Sequence, residues 1–270
     1  MGGIRPAVSA AVSAAMPVTA NTAVSKVAPV TLGFWVMKIC ATTLGETGGD
    51  LLSMTLDVGY ALSSVLLLAV FLVSLWAQLH ARNFQPWRYW WVILTTSTAG
   101  TTLSDYMDRS LGLGYAQGAL LLVSLLVAVL ATWWLCERSL SVERIGSGRA
   151  EIFYWLAILV SNTLGTALGD YLADSSGLGF AGGALLIAAL LAAIALAYAF
   201  TRVSRTALFW AAFVLTRPFG ATLGDLLSKP AGKGGLDLGT VGASLLLAVL
   251  LLAVLVVSTR RRDDDRRAAR

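Results

Sequence analysis

The sequence predicts an all-α fold, a polytopic membrane bundle of eight transmembrane helices built from four tandem two-helix repeats. Composition is the first reason, because 57% of the 270 residues are hydrophobic and 13% are charged, whereas soluble domains average roughly 25% charged residues. The second reason is that apolar residues come in runs of about 20, the length of a helix that crosses a bilayer. The chain therefore has too few charges to cover a water-soluble surface.

A repeated pattern is the third reason, and it divides the chain into four units. Each unit has a tryptophan, a glycine ten residues later, and an aspartate five residues after the glycine, preceded by a small residue. Four ungapped coincidences of this kind indicate a repeat architecture. The tryptophans are Trp35, Trp90, Trp155 and Trp210, and the aspartates are Asp50, Asp105, Asp170 and Asp225.

Each unit is long enough for two helices, and the predicted elements follow in order. The first helices are predicted at 30–53, 87–108, 151–173 and 206–228, and the second helices at 60–79, 115–136, 180–201 and 238–258. The repeats then span 30–79, 87–136, 151–201 and 206–258. The fourth repeat has a five-residue insertion near Lys229, Pro230 and Lys233.

The two ends of the chain fall outside the repeats. Residues 1–29 are interpreted as a poorly ordered cytoplasmic leader, with a signal peptide as the weaker alternative. Residues 259–270 form a predicted charged cytoplasmic tail. Most arginines lie in this tail or in the breaks after the second helices, whereas the opposite helix ends hold Arg109, Lys229 and Lys233. Because loops rich in Lys and Arg face the cytoplasm, both termini are predicted to be cytoplasmic.

These features resemble a family of bacterial membrane proteins catalogued as a repeat of unknown function. The resemblance covers about residues 34 to 258 and rests on the tryptophan-to-aspartate segments 35–50, 90–105, 155–170 and 210–225. It implies the eight-helix architecture and a bacterial inner membrane location. It implies no activity, so function is inferred from the residues.

Small residues four apart recur beside the aspartates, and this spacing lets membrane helices approach closely. The pairs are Gly45 and Gly49, Gly100 and Ser104, Gly165 and Gly169, and Gly220 and Gly224. Helix packing is the expected role of these pairs. The four tryptophans are expected to anchor the bundle at the membrane interface, with stacking against a substrate as the alternative.

The four aspartates are the main candidates for function, because a charged residue at membrane depth costs about 2.5–3.5 kcal/mol even on the most permissive insertion scale. Two interpretations stay open. In one, Asp50, Asp105, Asp170 and Asp225 surround one cavity as a shared ion or proton site. In the other, they are solvated helix ends. Glu46 lies one turn before Asp50 and is a candidate supplementary ligand or titrating group.

Two bases interrupt the symmetry of the repeats. Lys38 and Arg217 lie within first helices, and each is predicted to be a counter-charge for an acid. A neighbouring repeat is the expected source of the acid that pairs with Arg217. The positions equivalent to Arg217 are Thr42, Ser97 and Asn162, which predicts a polar layer one turn below the glycines.

Four further acids, Asp57, Asp108, Asp174 and Asp237, lie near the outer connections. They are interpreted either as an entry funnel for cations or as solvated loop charges.

Several functions are excluded or disfavoured. His80 is the single histidine, so histidine metal clusters and histidine-based triads are absent, and the chain has no phosphate-binding loop. Cys40 and Cys136 give no disulfide framework. The net charge of +5 reflects membrane topology, not nucleic-acid binding.

The sequence therefore predicts a secondary transporter or exporter, not an enzyme, with no resident cofactor. Oxygen ligands without Cys or His favour a hard inorganic cation or a proton as its substrate. A non-catalytic membrane scaffold is the alternative, and an intramembrane aspartyl protease is a weaker one. The lipid bilayer is the expected partner, and the sequence does not indicate an oligomeric state.

Overall fold

The computed structural model describes residues 27–81, 83–142, 145 and 147–268, with side chains up to Arg260. This part of the chain contains eight α-helices. The helices are α1 Leu32–Asp50, α2 Tyr60–Leu79, α3 Pro86–Asp105, α4 Tyr115–Glu137, α5 Gly148–Asp170, α6 Gly179–Phe200, α7 Arg205–Ser228 and α8 Gly239–Ala268. The predicted all-α fold with eight helices is confirmed. Of the predicted leader, residues 1–26 lie outside the described residues.

Helix α8 is longer than predicted, because it continues through most of the expected tail to Ala268. Residues 259–268 contain five arginines, which are good helix formers, and no glycine or proline, so the end of the apolar stretch does not end the helix. The starting points of three of the first helices are set by capping residues in the local sequence. The hydroxyls of Thr31, Ser147 and Ser204 cap α1, α5 and α7 by accepting backbone N–H groups.

The connections within the repeats share one construction. In the first three repeats, a single π-helical turn follows the aspartate, at Leu51–Thr55, Tyr106–Ser110 and Tyr171–Ser175. In the fourth repeat, α7 instead runs to Ser228 and the predicted insertion forms a short 3₁₀ turn, Ala231–Lys233. Each connection ends at a glycine with φ between 66° and 78°, a conformation that favours glycine. These glycines are Gly59, Gly114, Gly179 and Gly239.

The helices form an inner ring and an outer shell. The first helices α1, α3, α5 and α7 pack each against the next, and α7 packs against α1, so the ring closes. Each second helix packs on the first helix of the following repeat, and α8 packs on α1. The four aspartates therefore lie together at one end of the ring.

The outside of the bundle is apolar. Helices α2, α4, α5, α6, α7 and α8 are long and apolar enough to cross a membrane. Outer helices expose large side chains such as Leu120, which is 69% exposed, and Leu185, which is 71% exposed. Polar side chains instead fill the centre of the ring. Apolar side chains outside and polar side chains inside are the reverse of the distribution in a soluble protein, and they suit a bilayer.

The prediction that the four tryptophans anchor the bundle at the lipid interface is wrong. Trp90, Trp155 and Trp210 are buried inside the bundle, and Trp35 is half-buried. The aromatic residue before the tryptophan of each repeat contacts the tryptophan of the following repeat. The contacts are Phe34 with Trp90, Tyr89 with Trp155, Tyr154 with Trp210, and Phe209 with Trp35.

This aromatic layer closes the ring at the end away from the aspartates. The tryptophans lie on inner helices, which have neighbours on most sides, so their depth in the membrane does not make them face lipid. The hydroxyls of Tyr89 and Tyr154 are joined by a hydrogen bond of 2.6 Å within the layer.

Candidate functional site

Close helix contacts hold the inner ring together, as the small residues predicted. A Cβ at Gly169 would lie 2.7 Å from Cβ of Ala221, and a Cβ at Gly49 would lie 2.8 Å from Cβ of Thr101. The first glycine of each small-residue pair is equally close to the next inner helix. These contacts are Gly45 with Ser97, Gly100 with Asn162, Gly165 with Arg217, and Gly220 with Thr42. Each glycine thus packs on the polar residue three positions before the equivalent glycine of the next repeat.

Three polar layers follow one another along the inner ring, one helical turn apart. The deepest layer is Thr42, Ser97, Asn162 and Arg217. The middle layer is Glu46, Thr101, Thr166 and Ala221, and the outer layer, the acidic ring, is Asp50, Asp105, Asp170 and Asp225. All twelve side chains are buried, and the four aspartates are 1–5% exposed. Solvated helix ends, the alternative interpretation of these aspartates, do not describe this arrangement.

Glu46 is the centre of the middle layer. Its Oε2 accepts hydrogen bonds from the hydroxyls of Thr101, at 3.2 Å, and Thr166, at 3.1 Å. The same oxygen forms an ion pair of 2.9 Å with Arg217. Helix α7 neighbours α1 because the ring closes, so the acid that pairs with Arg217 comes from another repeat, as the sequence predicts. Arg217 also donates to the carbonyl of Ser97 at 3.1 Å.

Lys38 lies one turn below the polar layers and is fully buried. Its ammonium nitrogen has no hydrogen-bond acceptor among the described residues. It instead lies 4.1 Å from the centre of the Phe213 ring, in a cation–π contact. Of the two predicted counter-charges, Arg217 therefore contacts a carboxylate and Lys38 contacts an aromatic face.

Two bases that sequence reasoning assigned to outer connections contact the acidic ring. Arg109 forms ion pairs with Asp105, at 3.0 Å, and with Asp170, at 3.1 Å. Lys229 forms ion pairs with Asp50, at 2.6 Å, and with Asp225, at 3.2 Å. Burial lowers the pKa of Lys229, but the two carboxylates outweigh burial and the net shift is upward.

The sequence did contain a signal for these two bases. Arg109 follows Asp105 by four residues, and Lys229 follows Asp225 by four residues, a spacing that places both on the aspartate face of the helix. The equivalent positions in repeats one and three are Met54 and Asp174. The bases therefore alternate around the ring, which has approximate two-fold symmetry in charge as well as four-fold symmetry in sequence.

Carboxylate oxygens converge above the middle layer. One oxygen each of Glu46, Asp170 and Asp225 lie within 4.8 Å of one another. Opposite oxygen ligands of a Ca²⁺ ion stand about 5 Å apart, so three oxygens at this separation can contact one hard cation. In the described chain, Arg109, Arg217 and Lys229 contact these acids, so three bases face the five carboxyl groups of Glu46 and the ring.

The four acids proposed as an entry funnel do not occupy equivalent positions. Asp57 and Asp237 adopt φ of 56° and 60°, where glycines stand in the other two repeats. Asp108 is buried in the π-helical turn beside Ser104, whose hydroxyl donates to it at 3.2 Å. Asp174 is exposed and accepts from Tyr115 at 3.4 Å. The structure does not support a common funnel.

Comparison with known proteins gives a family and nothing more specific. A family model described as Repeat of Unknown Function (DUF347) matches residues 33–84, 88–139, 153–204 and 208–264. These four segments follow the four repeats and cover most of the chain. Neither the curated proteins nor the solved structures give a match.

Proposed function

The chain belongs to the DUF347 repeat family, whose description names no activity, and we propose that it is a secondary transporter or exporter of an inorganic cation. The observation behind this proposal is the convergence of Glu46, Asp170 and Asp225 between the middle layer and the acidic ring, where buried acids outnumber the bases that contact them. Buried carboxylates that repel one another need a cation or protons between them.

The chemistry of the donor set favours a hard ion. The converging ligand atoms are carboxylate oxygens, and oxygen ligands suit Mg²⁺, Mn²⁺, Ca²⁺ or a proton better than a soft metal. Asp50, Asp105, Asp170 and Asp225 then form the ion or proton site. Glu46 serves as a further ligand or as the group that exchanges the proton, and Arg217 is its counter-charge.

The position of the site favours transport over enzymatic chemistry. Below the polar layers, the aromatic layer closes the ring. Above them, Arg109 and Lys229 have side chains that are 31% and 21% exposed, so the acidic ring lies near one surface of the bundle. Intramembrane acids in such positions commonly mark ion pathways. We propose no enzymatic activity, and we place the chain in the bacterial inner membrane with cytoplasmic termini and an outward acidic ring.

A membrane scaffold is the second candidate, and the ion pairs favour it. Arg109 and Lys229 join neighbouring helices, which stabilises the ring without any bound ion. The two functions differ in one consequence. A transport site responds to cations in solution, whereas a scaffold held by internal ion pairs does not.

The test is thermal unfolding of the purified protein in detergent with a panel of Mg²⁺, Mn²⁺, Ca²⁺ and Na⁺ chlorides. We expect at least one cation to raise the midpoint, and a lower pH to raise the concentration required, because protons compete for the carboxylates. Asp170→Asn should abolish the response while Arg109 keeps Asp105 as its partner. Asp174→Asn is the matched control, since Asp174 is exposed on the same turn, and it should respond normally.

A sidedness measurement tests the orientation. Single cysteines at Ser139 and Ser176, in a background with Cys40 and Cys136 replaced by serine, report opposite ends of the bundle. We expect an impermeant thiol reagent added to intact cells to label position 176 and not position 139. The reverse pattern would invert the proposed orientation.

A further inference from the structure

Arg109 and Lys229 belong to a feature that a plain cation site does not require. Building on the proposed function, we propose that these two side chains are tethered cations, which occupy the acidic ring at rest and which the transported cation must displace. They would then determine both the affinity of the ring and the coupling between binding and opening.

The geometry of Lys229 is that of a bound monovalent cation. Its ammonium nitrogen lies 2.6 Å from Asp50 and 3.2 Å from Asp225, on two helices from different repeats. Arg109 makes the same bridge on the other side of the ring, from Asp105 to Asp170. The ring therefore binds cationic groups already, through oxygens supplied by separate helices.

The acids keep unused capacity for a ligand. Asp105 is 1% exposed, and neither of its carboxylate oxygens accepts a hydrogen bond from a described residue, although Arg109 forms an ion pair with it. Oδ1 of Asp225 is likewise buried, and its contact is the ion pair of 3.2 Å with Lys229. A buried carboxylate oxygen without a donor, such as Oδ2 of Asp105 among the described residues, is costly, so a mobile cation that contacts this oxygen has a favourable place to bind.

The two bases are placed to leave, unlike Arg217. Arg109 and Lys229 lie beyond the aspartates at the end of the inner helices, and their side chains are 31% and 21% exposed. Arg217 is fully buried beneath them, with its guanidinium held by Glu46 and the carbonyl of Ser97. A flexible lysine or arginine side chain can keep its charge in water when it swings outward.

Displacement would act on two boundaries at once. Lys229 bridges repeats four and one, and Arg109 bridges repeats two and three, so both ion pairs cross between the half that contains repeats one and two and the half that contains repeats three and four. The remaining boundaries have no ion pair at this level in the described residues, although Arg109 also donates to the hydroxyl of Tyr60, at 3.1 Å, across the boundary of repeats one and two. Release of both bases would remove the ion pairs that join the two halves at the acidic ring and leave Glu46 and Arg217 as the ion pair below it.

The experiment compares cation-induced thermal stabilisation in wild type, Lys229→Met and Lys229→Arg, using Mg²⁺, Mn²⁺, Ca²⁺ and Na⁺ chlorides. Lys229→Met removes the tethered charge and should respond at cation concentrations lower by on the order of 5–150-fold. Lys229→Arg keeps the charge and should respond as wild type does. The double variant Asp225→Asn/Lys229→Met restores the charge balance and should be stable without added cation.

The outcomes separate this inference from the proposed function. A wild-type response with an unchanged or weaker response in Lys229→Met would overturn the tethered-cation role and leave the cation site intact. A response in Lys229→Met alone would show that cations do not displace Lys229 in the wild type, and it would overturn both the displacement and transport by the wild type. No response in either protein would overturn both. If Lys229→Met does not fold without cation, recovery during purification with Ca²⁺ or Mn²⁺ supports the inference, and failure to recover contradicts it.

Discussion

The inner ring and the outer shell are made from alternating helices of the same repeats, yet they differ in how much of each helix is buried. In the apolar stretches of α2, α4, α6 and α8, 17–28% of residues are buried, against 72% in α5 and 56% in α7. The outer helices face lipid and need little beyond apolar side chains. The inner helices expose a narrower apolar face, with Trp91 and Ile152 on it, and bury threonines, acids and bases. The comparison teaches that the polar chemistry of this fold is concentrated in the inner helices and in the turns that follow them, so substitutions in the two regions should differ sharply.

The largest expected effect is the loss of the deepest ion pair in the inner ring. Arg217→Met leaves Glu46 buried without its base, and breaking one side of a buried ion pair typically costs about 3–5 kcal/mol. We expect a large drop in the thermal unfolding midpoint in detergent. The double variant Glu46→Gln/Arg217→Met should recover most of it. Equal stability of the single and double variants would show that the pair does not hold the ring together.

How much the sequence predicts also differs between the two regions. The outer helices follow from hydropathy alone, and the register of the inner aspartates follows from the repeat. The side of each helix that points into the bundle does not follow from the sequence, because hydropathy indicates depth in the membrane and not the direction in which a side chain points. For that reason Trp90 and Trp155 were expected at the lipid interface, although they lie inside.

The bases that pair with the acidic ring could not be identified from the sequence either. Arg109 and Lys229 meet Asp170 and Asp50 only because the ring closes across repeats. Their spacing of four residues from Asp105 and Asp225 was visible in the sequence. However, an acid followed by a base at that spacing is common on solvated helices, so spacing alone could not identify the bridge.

A smaller effect is expected from glycine substitutions, which should lower stability in the inner ring and not in the outer shell. Gly169→Ala puts a Cβ 2.7 Å from Ala221 in the inner ring and should lower stability by roughly 1–3 kcal/mol, as overpacking does. Gly242→Ala on α8 meets only Leu238, at 3.9 Å, and should be neutral or stabilising, because alanine favours helix. Unfolding midpoints of both variants check this. Equal destabilisation would mean that the ring is no more tightly packed than the shell.

The smallest effect is expected on the lipid face. Leu185→Ala, at a side chain that is 71% exposed on α6, should change the free energy of unfolding by within about 0.5 kcal/mol. Leu164→Ala, at a side chain that is 2% exposed on α5, should cost about 2–5 kcal/mol. Unfolding curves recorded side by side would compare them. A larger cost for Leu185→Ala would indicate that α6 is covered by another chain and not by lipid.

The most direct measurement is cation flux into proteoliposomes, with internal pH recorded at the same time, for wild type, Asp170→Asn and Asp174→Asn. The cation is the member of the Mg²⁺, Mn²⁺, Ca²⁺ and Na⁺ panel that stabilises the protein most. We expect saturable flux in wild type and Asp174→Asn, and a loss of about tenfold or more in Asp170→Asn with insertion unchanged, because the buried carboxylate is the ligand. Flux in Asp170→Asn equal to wild type, or wild-type flux no greater than that of empty liposomes, would contradict the transport function and favour the scaffold.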